Sequence, residues 1–96
     1  MKTTIYCIYI MTNEWNTTYC VGFSSGLKDR IYAHKEQLVE GFTKRYNINK
    51  LVYYECGDDY NGVLAREKQV KRWSRAKKIA LIKKVNPTLK DLYDKL

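Results

Sequence analysis

The pattern of hydrophobic and polar positions along the chain predicts three strands. Residues 5–11 (IYCIYIM) and 18–23 (TYCVGF) are rich in β-branched and aromatic side chains, which favour strands. The polar segment 12–17 (TNEWNT) between them has the composition of a turn, so the two strands are predicted to form an antiparallel hairpin. Residues 50–56 (KLVYYEC) predict the third strand.

A first helix is predicted between the second and third strands. The run 24–26 (SSG) interrupts the strand pattern, and apolar residues then recur near a helical period from Leu27 to Leu38. Ser25 or Ser24 is the expected N-cap, because a serine hydroxyl can accept a hydrogen bond from the first turn of a helix.

The rest of the chain predicts a polar loop and three more helices. Residues 41–49 form the loop, and apolar spacing indicates helices around 63–73 and 79–85. The second of these ends before Pro87, because the residue preceding a proline disfavours the helical conformation. A last short helix is predicted over 88–96. The order ββαβααα implies an α+β fold, in which helices cover a small antiparallel sheet.

The composition fits one globular domain. With 96 residues, of which 45% are apolar, the chain has no room for two independent cores, so a single domain over 1–96 is expected. No apolar run approaches the roughly 18–20 residues of a membrane span, and no signal-peptide cleavage pattern follows the N-terminal apolar stretch. The sequence also lacks a glycine-rich phosphate loop, so we expect neither membrane association nor a small-molecule cofactor.

The cysteines suggest a reducing environment. Cys7, Cys20 and Cys56 are odd in number, widely spaced and outside any CxxC motif. This pattern indicates neither a disulfide framework nor a zinc knuckle. We therefore expect reduced thiols and a cytoplasmic location, because disulfides are rare in reducing compartments.

The basic charge of the chain lies in one segment. Residues 66–84 contain nine Lys and Arg residues and one acidic residue, Glu67. The rest of the chain contains nine basic and nine acidic residues, so this segment accounts for the whole formal net charge of +8. Like charges at helical spacing cost stability unless an anion neutralises them, so nucleic acid is the expected partner and a solvated helical face the alternative. Trp73 could stack on a base, although core packing is favoured.

We assign nucleic-acid binding to the basic side chains of this segment and of the preceding loop. They are Lys44, Arg66, Lys68, Lys71, Arg72, Arg75, Lys77 and Lys78. Such residues contact phosphates, which position a strand without reading its sequence, so little sequence specificity is expected.

Several reactive side chains could meet on one surface. Tyr9 and Cys20 lie on the predicted hairpin, and Arg30 and His34 are four residues apart on the first helix, so they share one side of it. Glu67 fits either charge compensation or a Mg²⁺ site completed by substrate phosphates. Phosphodiester hydrolysis needs a cation, a proton acceptor for water and a proton donor, which these groups could supply. Ordinary core packing or surface exposure of each remains the alternative.

Short motifs in the chain resemble the GIY-YIG nuclease superfamily. Cys7-Ile8-Tyr9 is followed at an 11-residue step by Cys20-Val21-Gly22, and then by LxxR at 27–30 and by His34. The longer segments are most similar to the small stand-alone bacterial members of the superfamily. These segments are FTKRYN at 42–47, KLVYYE at 50–55, AREKQVKRWSRAKKIALI at 65–82 and NP at 86–87.

The resemblance implies an α/β domain with a three-stranded antiparallel sheet that cuts DNA with one divalent metal ion, usually Mg²⁺ and alternatively Mn²⁺. Tyr9 corresponds to a general base or water-positioning residue, and Arg30 to the arginine that stabilises phosphate. His34 corresponds to a position that shuttles protons or contacts phosphate, and Glu67 to the metal ligand. Gly22 matches the second-motif glycine, and Asn86 matches a late asparagine that supports the site.

Two positions depart from the family pattern. Cys7 replaces the first-motif glycine, which is a mild change, and Cys20 replaces the first tyrosine of the second motif, which is serious because a thiol is shorter than a phenol. Tyr19 could substitute only if a bulge re-registered the hairpin, since a one-residue shift turns a side chain to the opposite face. The spacing of Gly22 and of Arg30 favours the unshifted alignment.

The leading hypothesis is therefore a monomeric, metal-dependent endonuclease that hydrolyses DNA. Single-stranded, duplex and branched DNA remain open as substrates, as does RNA. The main alternative is a nucleic-acid-binding module whose catalysis is weakened or lost through Cys20. A protein-interaction role for the basic segment is a third possibility. A transition-metal site made by Cys20, His34 and Glu67 is suggested by side-chain types alone.

Overall fold

The computed structural model describes residues 3–36 and 47–96. Its strands form one antiparallel sheet in the order β2-β1-β3, which confirms the predicted α+β class. Among the described residues, no helix has the length and apolar character needed to cross a bilayer. The elements are β1 (Tyr6–Thr12), β2 (Tyr19–Ser24), α1 (Leu27–Lys35), β3 (Lys50–Gly57), α2 (Tyr60–Lys71), α3 (Arg75–Val85) and a 3-10 helix (Tyr93–Lys95).

The central strand β1 separates two hydrophobic clusters. Successive side chains of a strand point to opposite faces of a sheet, so Ile8 and Ile10 lie on one face and Tyr9 and Met11 on the other. Helices α2 and α3 cover the first face. Helix α1 contributes Ile31 to the second cluster. Burial of both faces therefore fixes the register of β1, because a slip of one residue would exchange the two sets of side chains.

Helix α1 begins without the predicted serine cap. Its N-cap is Gly26, which makes no side-chain capping bond, so the expectation of Ser25 or Ser24 at that position is wrong. The Ser24 hydroxyl instead accepts a hydrogen bond from the Gly26 backbone N–H at 2.9 Å, within the turn that leads into the helix. The predicted continuation of α1 to Leu38, and most of the predicted loop, lie outside the described residues.

The C-terminal segment does not form the helix predicted over 88–96. Leu89 has a φ of 53°, which a helix cannot accommodate, and the Leu92 N–H donates to the Leu51 carbonyl at 2.7 Å. The Asp91 carboxylate accepts a hydrogen bond from the Leu51 N–H at 3.2 Å. The segment is thus held against β3 by its own backbone, and only the short 3-10 helix is helical.

Two of the three cysteines are joined, which corrects the expectation of reduced thiols. Cys7 and Cys56 are cross-strand partners on β1 and β3, with Cα atoms 4.0 Å apart, and they form a disulfide across 49 residues of sequence. Only Cys20 is free among the described residues. The spacing of cysteines along the chain could not show this pairing, because it follows from the register of two strands that are distant in sequence. The cysteines therefore give no argument for a reducing compartment.

Candidate active site

Tyr9 is the buried centre of the candidate site. Its side chain is 6% exposed, and its hydroxyl lies 3.4 Å from Nε2 of His34 on α1. Gly22 faces Tyr9 across the β1–β2 pair, and a Cβ atom on that glycine would lie 2.3 Å from the Tyr9 Cζ atom. The ring of Tyr9 therefore lies across β2 only because residue 22 has no side chain.

His34 is held as a neutral imidazole. It is buried at 9% exposure, and burial is the main cause that lowers its pKa below the ordinary 6.5, with the positive charge of Arg30 adding to the effect. Its Nδ1 atom has no hydrogen-bond partner within the described part of the chain. The imidazole can thus exchange a proton with the Tyr9 hydroxyl through Nε2, in a direction set by its tautomer.

The electrostatic environment of Tyr9 shows which groups surround it. Burial raises the pKa of Tyr9, Arg30 opposes this increase, and negative charge at Cys20 and at Glu67 adds to it. The structure therefore brings together five residues that the sequence analysis identified. They are Tyr9 on β1, Cys20 on β2, Arg30 and His34 on α1, and Glu67 on α2. A phenol with a raised pKa stays protonated near neutral pH, so Tyr9 requires a partner such as His34 to act on a proton.

Arg30 and Glu67 place opposite charges near Tyr9. The Arg30 side chain is exposed, whereas Glu67 is half-buried. Glu67 forms no hydrogen bond or ion pair with the residues that the structure describes. Its carboxylate oxygens are thus available to a cation, and Arg30 is available to an anion.

The donor set fits a hard cation that binds few protein ligands. Within residues 3–36 and 47–96, no group of three or more His, Cys, Asp or Glu side chains could hold a metal ion by itself. The transition-metal site suggested for Cys20, His34 and Glu67 therefore does not form. Mg²⁺ commonly binds one or two carboxylates and completes its shell with water and substrate phosphates, which is the arrangement that Glu67 allows.

Cys20 lies beside two lysines at the edge of the site. The β1–β2 register is continuous and pairs Cys20 with Met11, so the alignment without a bulge is correct. Burial raises the pKa of the Cys20 thiol, and the positive charges of Lys71 and Lys78 partly oppose that effect. Lys71 lies four residues after Glu67 and therefore on the same side of α2.

Tyr19 does not take the place of Cys20. It packs against the cluster on the opposite face of the sheet, with the Arg75 guanidinium 5.9 Å from the centre of its ring. Burial raises its pKa, and Arg75 lowers it in part. The phenol of the neighbouring residue is thus unavailable to the Tyr9 site.

Some of the residues predicted to contact nucleic acid also have partners within the protein. Arg66 donates from Nε to the Glu55 carboxylate at 2.6 Å and lies 5.0 Å from the centre of the Trp73 ring. The Lys77 ammonium lies over the same ring at 4.4 Å. Trp73 is half-buried and packs against the first cluster, as favoured from the sequence. The exposed members are Lys68, Lys71, Arg72, Arg75 and Lys77; Lys78 is half-buried, and Lys44 lies outside the described residues.

Asn86 lies away from the five clustered residues and supports β3. It is buried, and its side-chain amide donates to the carbonyls of Val52 and Lys90, both at 2.9 Å. Its side-chain oxygen accepts from the Lys90 N–H at 3.0 Å. Asn86 therefore holds the end of α3 to the sheet. Any effect of Asn86 on the site is indirect, because Asn86 contacts β3 and β3 pairs with β1.

The arrangement of these residues agrees with comparisons of the whole sequence. Residues 5–80 match the GIY-YIG catalytic domain. The chain belongs to the GIY-YIG family. A UPF0213 protein of Syntrophus aciditrophicus is 37% identical over 81 residues, which cover 83% of this chain and 91% of the relative. UPF0213 protein SSP2268 of Staphylococcus saprophyticus is 33% identical over 75 residues, covering 78% and 90%. No solved structure matches the chain significantly.

Family membership gives this GIY-YIG domain a nuclease-type function with DNA as the implied substrate class. The structure adds two residues to the site that sequence reasoning assigned only to general DNA binding. Lys71 and Lys78 come from different helices, and both act on the Cys20 thiol. The four-residue step from Glu67 to Lys71 was the available signal, because it places both side chains on one side of a helix.

Proposed function

We propose that this GIY-YIG domain is a metal-dependent endonuclease that hydrolyses DNA phosphodiester bonds with little sequence preference. The observation that carries the proposal is the grouping of Tyr9 with Arg30, His34 and Glu67, of which Arg30 is exposed and Glu67 half-buried. Together they offer a cation ligand, a fixed positive charge and a proton-exchanging pair. These are the parts that phosphodiester hydrolysis requires.

Each charged group has a distinct role in the proposed reaction. Glu67 would hold a divalent cation, Mg²⁺ or Mn²⁺, which supplies neutralisation of charge on the scissile phosphate when bound. Arg30 binds the non-bridging phosphate oxygens, since a guanidinium presents paired donors to phosphate. Lys71 and Lys78 add positive charge at the Cys20 side of the site.

The Tyr9–His34 pair moves the proton of the attacking water. The water transfers a proton to the Tyr9 oxygen while the Tyr9 hydroxyl gives its own proton to Nε2 of the neutral imidazole. The resulting hydroxide attacks phosphorus, the bond from phosphorus to the leaving oxygen breaks, and that oxygen takes a proton from a solvent water. The lowered pKa of His34 disfavours a stable imidazolium, so the ring holds the proton only transiently and releases it after the attack.

The substitution Glu67→Gln tests the proposed cation ligand. We expect loss of DNA cleavage by a factor of about 10² or more, because the carboxylate charge is removed while the shape is kept. Labelled single-stranded and duplex DNA would be incubated with Mg²⁺, with Mn²⁺ or with EDTA. Binding, measured by fluorescence anisotropy, should remain nearly unchanged.

Asp58→Asn is the matched control for that measurement. Asp58 is exposed in the loop between β3 and α2, so the control removes one carboxylate charge outside the candidate site and outside the β1–β2 turn. It should retain full cleavage. Cleavage by Glu67→Gln at the rate of the natural sequence, or cleavage that persists in EDTA, would contradict the proposed role of the cation.

A second candidate function is DNA binding without efficient cleavage. The observation that favours it is the half-buried Cys20 thiol, which is shorter than the tyrosine side chain that the family pattern has at this position. In that case Cys20→Tyr should increase cleavage by about 10² or more, since a missing general acid or base costs 10²–10⁴. Cys20→Ser restores a hydroxyl without the reach of a phenol and should give no such gain.

The outcome for Cys20→Tyr separates the two functions. Efficient cleavage by the natural sequence, with no increase in the variant, supports the endonuclease. Salt-sensitive binding with little cleavage, followed by a large gain in the variant, supports a binding protein whose catalysis was weakened at this position.

A further inference from the structure

The turn between β1 and β2 displays an aromatic side chain that the proposed catalytic groups do not use. Trp15 is 64% exposed and is the most exposed aromatic residue in the described part of the chain. A single exposed hydrophobic residue is common on protein surfaces and by itself indicates no partner. The structure of the turn and the charge beside it distinguish Trp15 from that ordinary case.

The turn that carries Trp15 is rigid. The Asn13 side chain donates to the Thr17 hydroxyl at 2.7 Å and accepts from the Thr17 N–H at 2.9 Å. The Asn13 carbonyl accepts from the N–H of Asn16, which has a φ of 56°. The Thr12 hydroxyl donates to the Thr18 carbonyl at 2.7 Å. Trp15 is thus presented to solvent by a fixed backbone, so little conformational entropy is lost when a ligand contacts the ring.

The same turn is joined to the basic segment. The Arg75 guanidinium donates to the Thr17 carbonyl, which attaches the N-terminus of α3 to the turn. Lys71 and Lys78 lie close enough to Cys20, on the strand that follows the turn, to affect its thiol. A polyanion lying along these cations would therefore pass beside the turn.

We propose that Trp15 stacks on an unpaired base of a DNA strand bound at the Tyr9 site. This inference rests on the proposed function, since that function supplies the DNA. The occupant is an unpaired base because a base within a duplex has no free face to offer. Charge complementarity places the backbone of the same strand along Arg75, Lys71 and Lys78.

Trp15 lies in the turn that directly precedes β2, the strand that carries Cys20. The stacked base would therefore belong to a nucleotide beside the scissile phosphate. The contact would favour single-stranded or frayed substrates, whose bases are free to stack.

Tryptophan fluorescence tests the contact directly. The chain contains two tryptophans, so Trp73→Phe leaves Trp15 as the only one, and Glu67→Gln in the same protein prevents cleavage. A twelve-nucleotide oligothymidylate strand should quench Trp15 emission on binding. A strand of the same length with abasic sites throughout keeps the phosphates and should bind, by anisotropy of an attached dye, without quenching.

Affinity measurements provide a second readout that does not depend on Trp73→Phe. In the Glu67→Gln protein, Trp15→Ala should weaken binding of the oligothymidylate by about tenfold, whereas Trp15→Phe, which keeps an aromatic face, should weaken it much less. Neither variant should change binding of the abasic strand. Melting curves would check that the turn variants keep the fold.

Three outcomes would overturn the inference: equal quenching by the abasic strand, no quenching by a bound oligothymidylate, or quenching by a blunt duplex as strong as by the single strand. None of these bears on cleavage by the protein with Glu67 intact, which is the readout of the proposed function. Quenching without any cleavage would instead support Trp15 stacking in a protein that binds DNA and does not cut it.

Discussion

At the scale of single residues, the proton-exchanging pair depends on the burial of His34. Burial holds the pKa of the imidazole below its ordinary value of 6.5, and the Arg30 charge lowers it further. The folded protein therefore binds fewer protons than the unfolded chain at pH values between the two pKa values. His34 thus favours the folded state above about pH 6.5, and this contribution is lost as the pH falls through the lowered pKa.

Proton NMR of the imidazole ring can measure this effect without ambiguity. The chain contains one histidine, so a single Cε1–H resonance reports its titration. We expect a midpoint below 6.5 in the folded protein. Arg30→Gln should raise the midpoint but leave it below 6.5, because burial is the larger cause. A midpoint at or above 6.5 in the natural sequence would contradict the burial of a neutral imidazole at this position.

The site residues differ in how far the sequence could identify them. Tyr9, Arg30 and Glu67 could be assigned because motif spacing carries them, and their order along the chain survives folding. The burial of His34 and the approach of Lys71 to Cys20 could not be assigned, since both follow from how α1 and α2 pack on the sheet. Motif spacing identifies residue types, whereas their pKa values are properties of the packed structure.

At the scale of elements, the hairpin was predictable and the C-terminal segment was not. Both strands of the hairpin begin and end within one residue of the predicted limits, because alternation and the polar turn act locally. The segment 88–96 has helical composition but bonds to β3 through Asp91 and Leu92, which are contacts that sequence periodicity cannot express. The pairing of Cys7 with Cys56 was missed for the same reason.

The close approach of β1 and β2 gives a prediction at this scale. Gly22→Ala should disrupt the pair, since the added Cβ would overlap the Tyr9 ring at 2.3 Å and must displace it. Overpacking of this kind costs about 1–3 kcal/mol of unfolding free energy. Thermal melting should show a fall in Tm of several degrees, by about 4–8 °C for each kcal/mol in a domain of this size.

Gly26→Ala is the matched control for Gly22→Ala. No atom lies within 4 Å of a Cβ added at Gly26, so the same substitution meets open space. It should leave cleavage intact and lower Tm less than Gly22→Ala does, because only the preference of the α1 N-cap for glycine over alanine is lost. Gly22→Ala should also reduce cleavage because Tyr9 moves away from His34. Equal effects of the two substitutions would show that Tyr9 does not depend on the space beside Gly22.

At the scale of the whole molecule, the uneven charge distribution separates two sources of DNA affinity. A net charge of +8 attracts any polyanion from a distance, wherever the charges lie. Direct contacts between lysines and phosphates release counterions and make the binding constant fall with salt in proportion to the number of contacts. Lys71 and Lys78 lie beside the candidate site, whereas Lys83 and Lys84 lie on the last turn of α3.

Two double variants with the same charge distinguish these sources. Lys71→Gln with Lys78→Gln and Lys83→Gln with Lys84→Gln each remove two charges from +8 and so leave +6. For single-stranded DNA, the first pair should reduce the slope of log K against log[salt] by about 1.4, at about 0.7 for each lost phosphate contact. The second pair should leave the slope unchanged. Because both double variants have the same net charge, any long-range attraction should lower the association rate equally in the two proteins.

Titrations of a dye-labelled single strand between 50 and 200 mM salt, in the Glu67→Gln background, would give the slopes. If both pairs reduce the slope equally, the cations bind DNA as a diffuse surface, and the placement of Lys71 and Lys78 beside Cys20 has no special part in binding. If only the first pair does so, the phosphate path runs over the edge of the sheet at β2 and α2. That path is the one along which a strand would reach both Glu67 and the turn at Trp15.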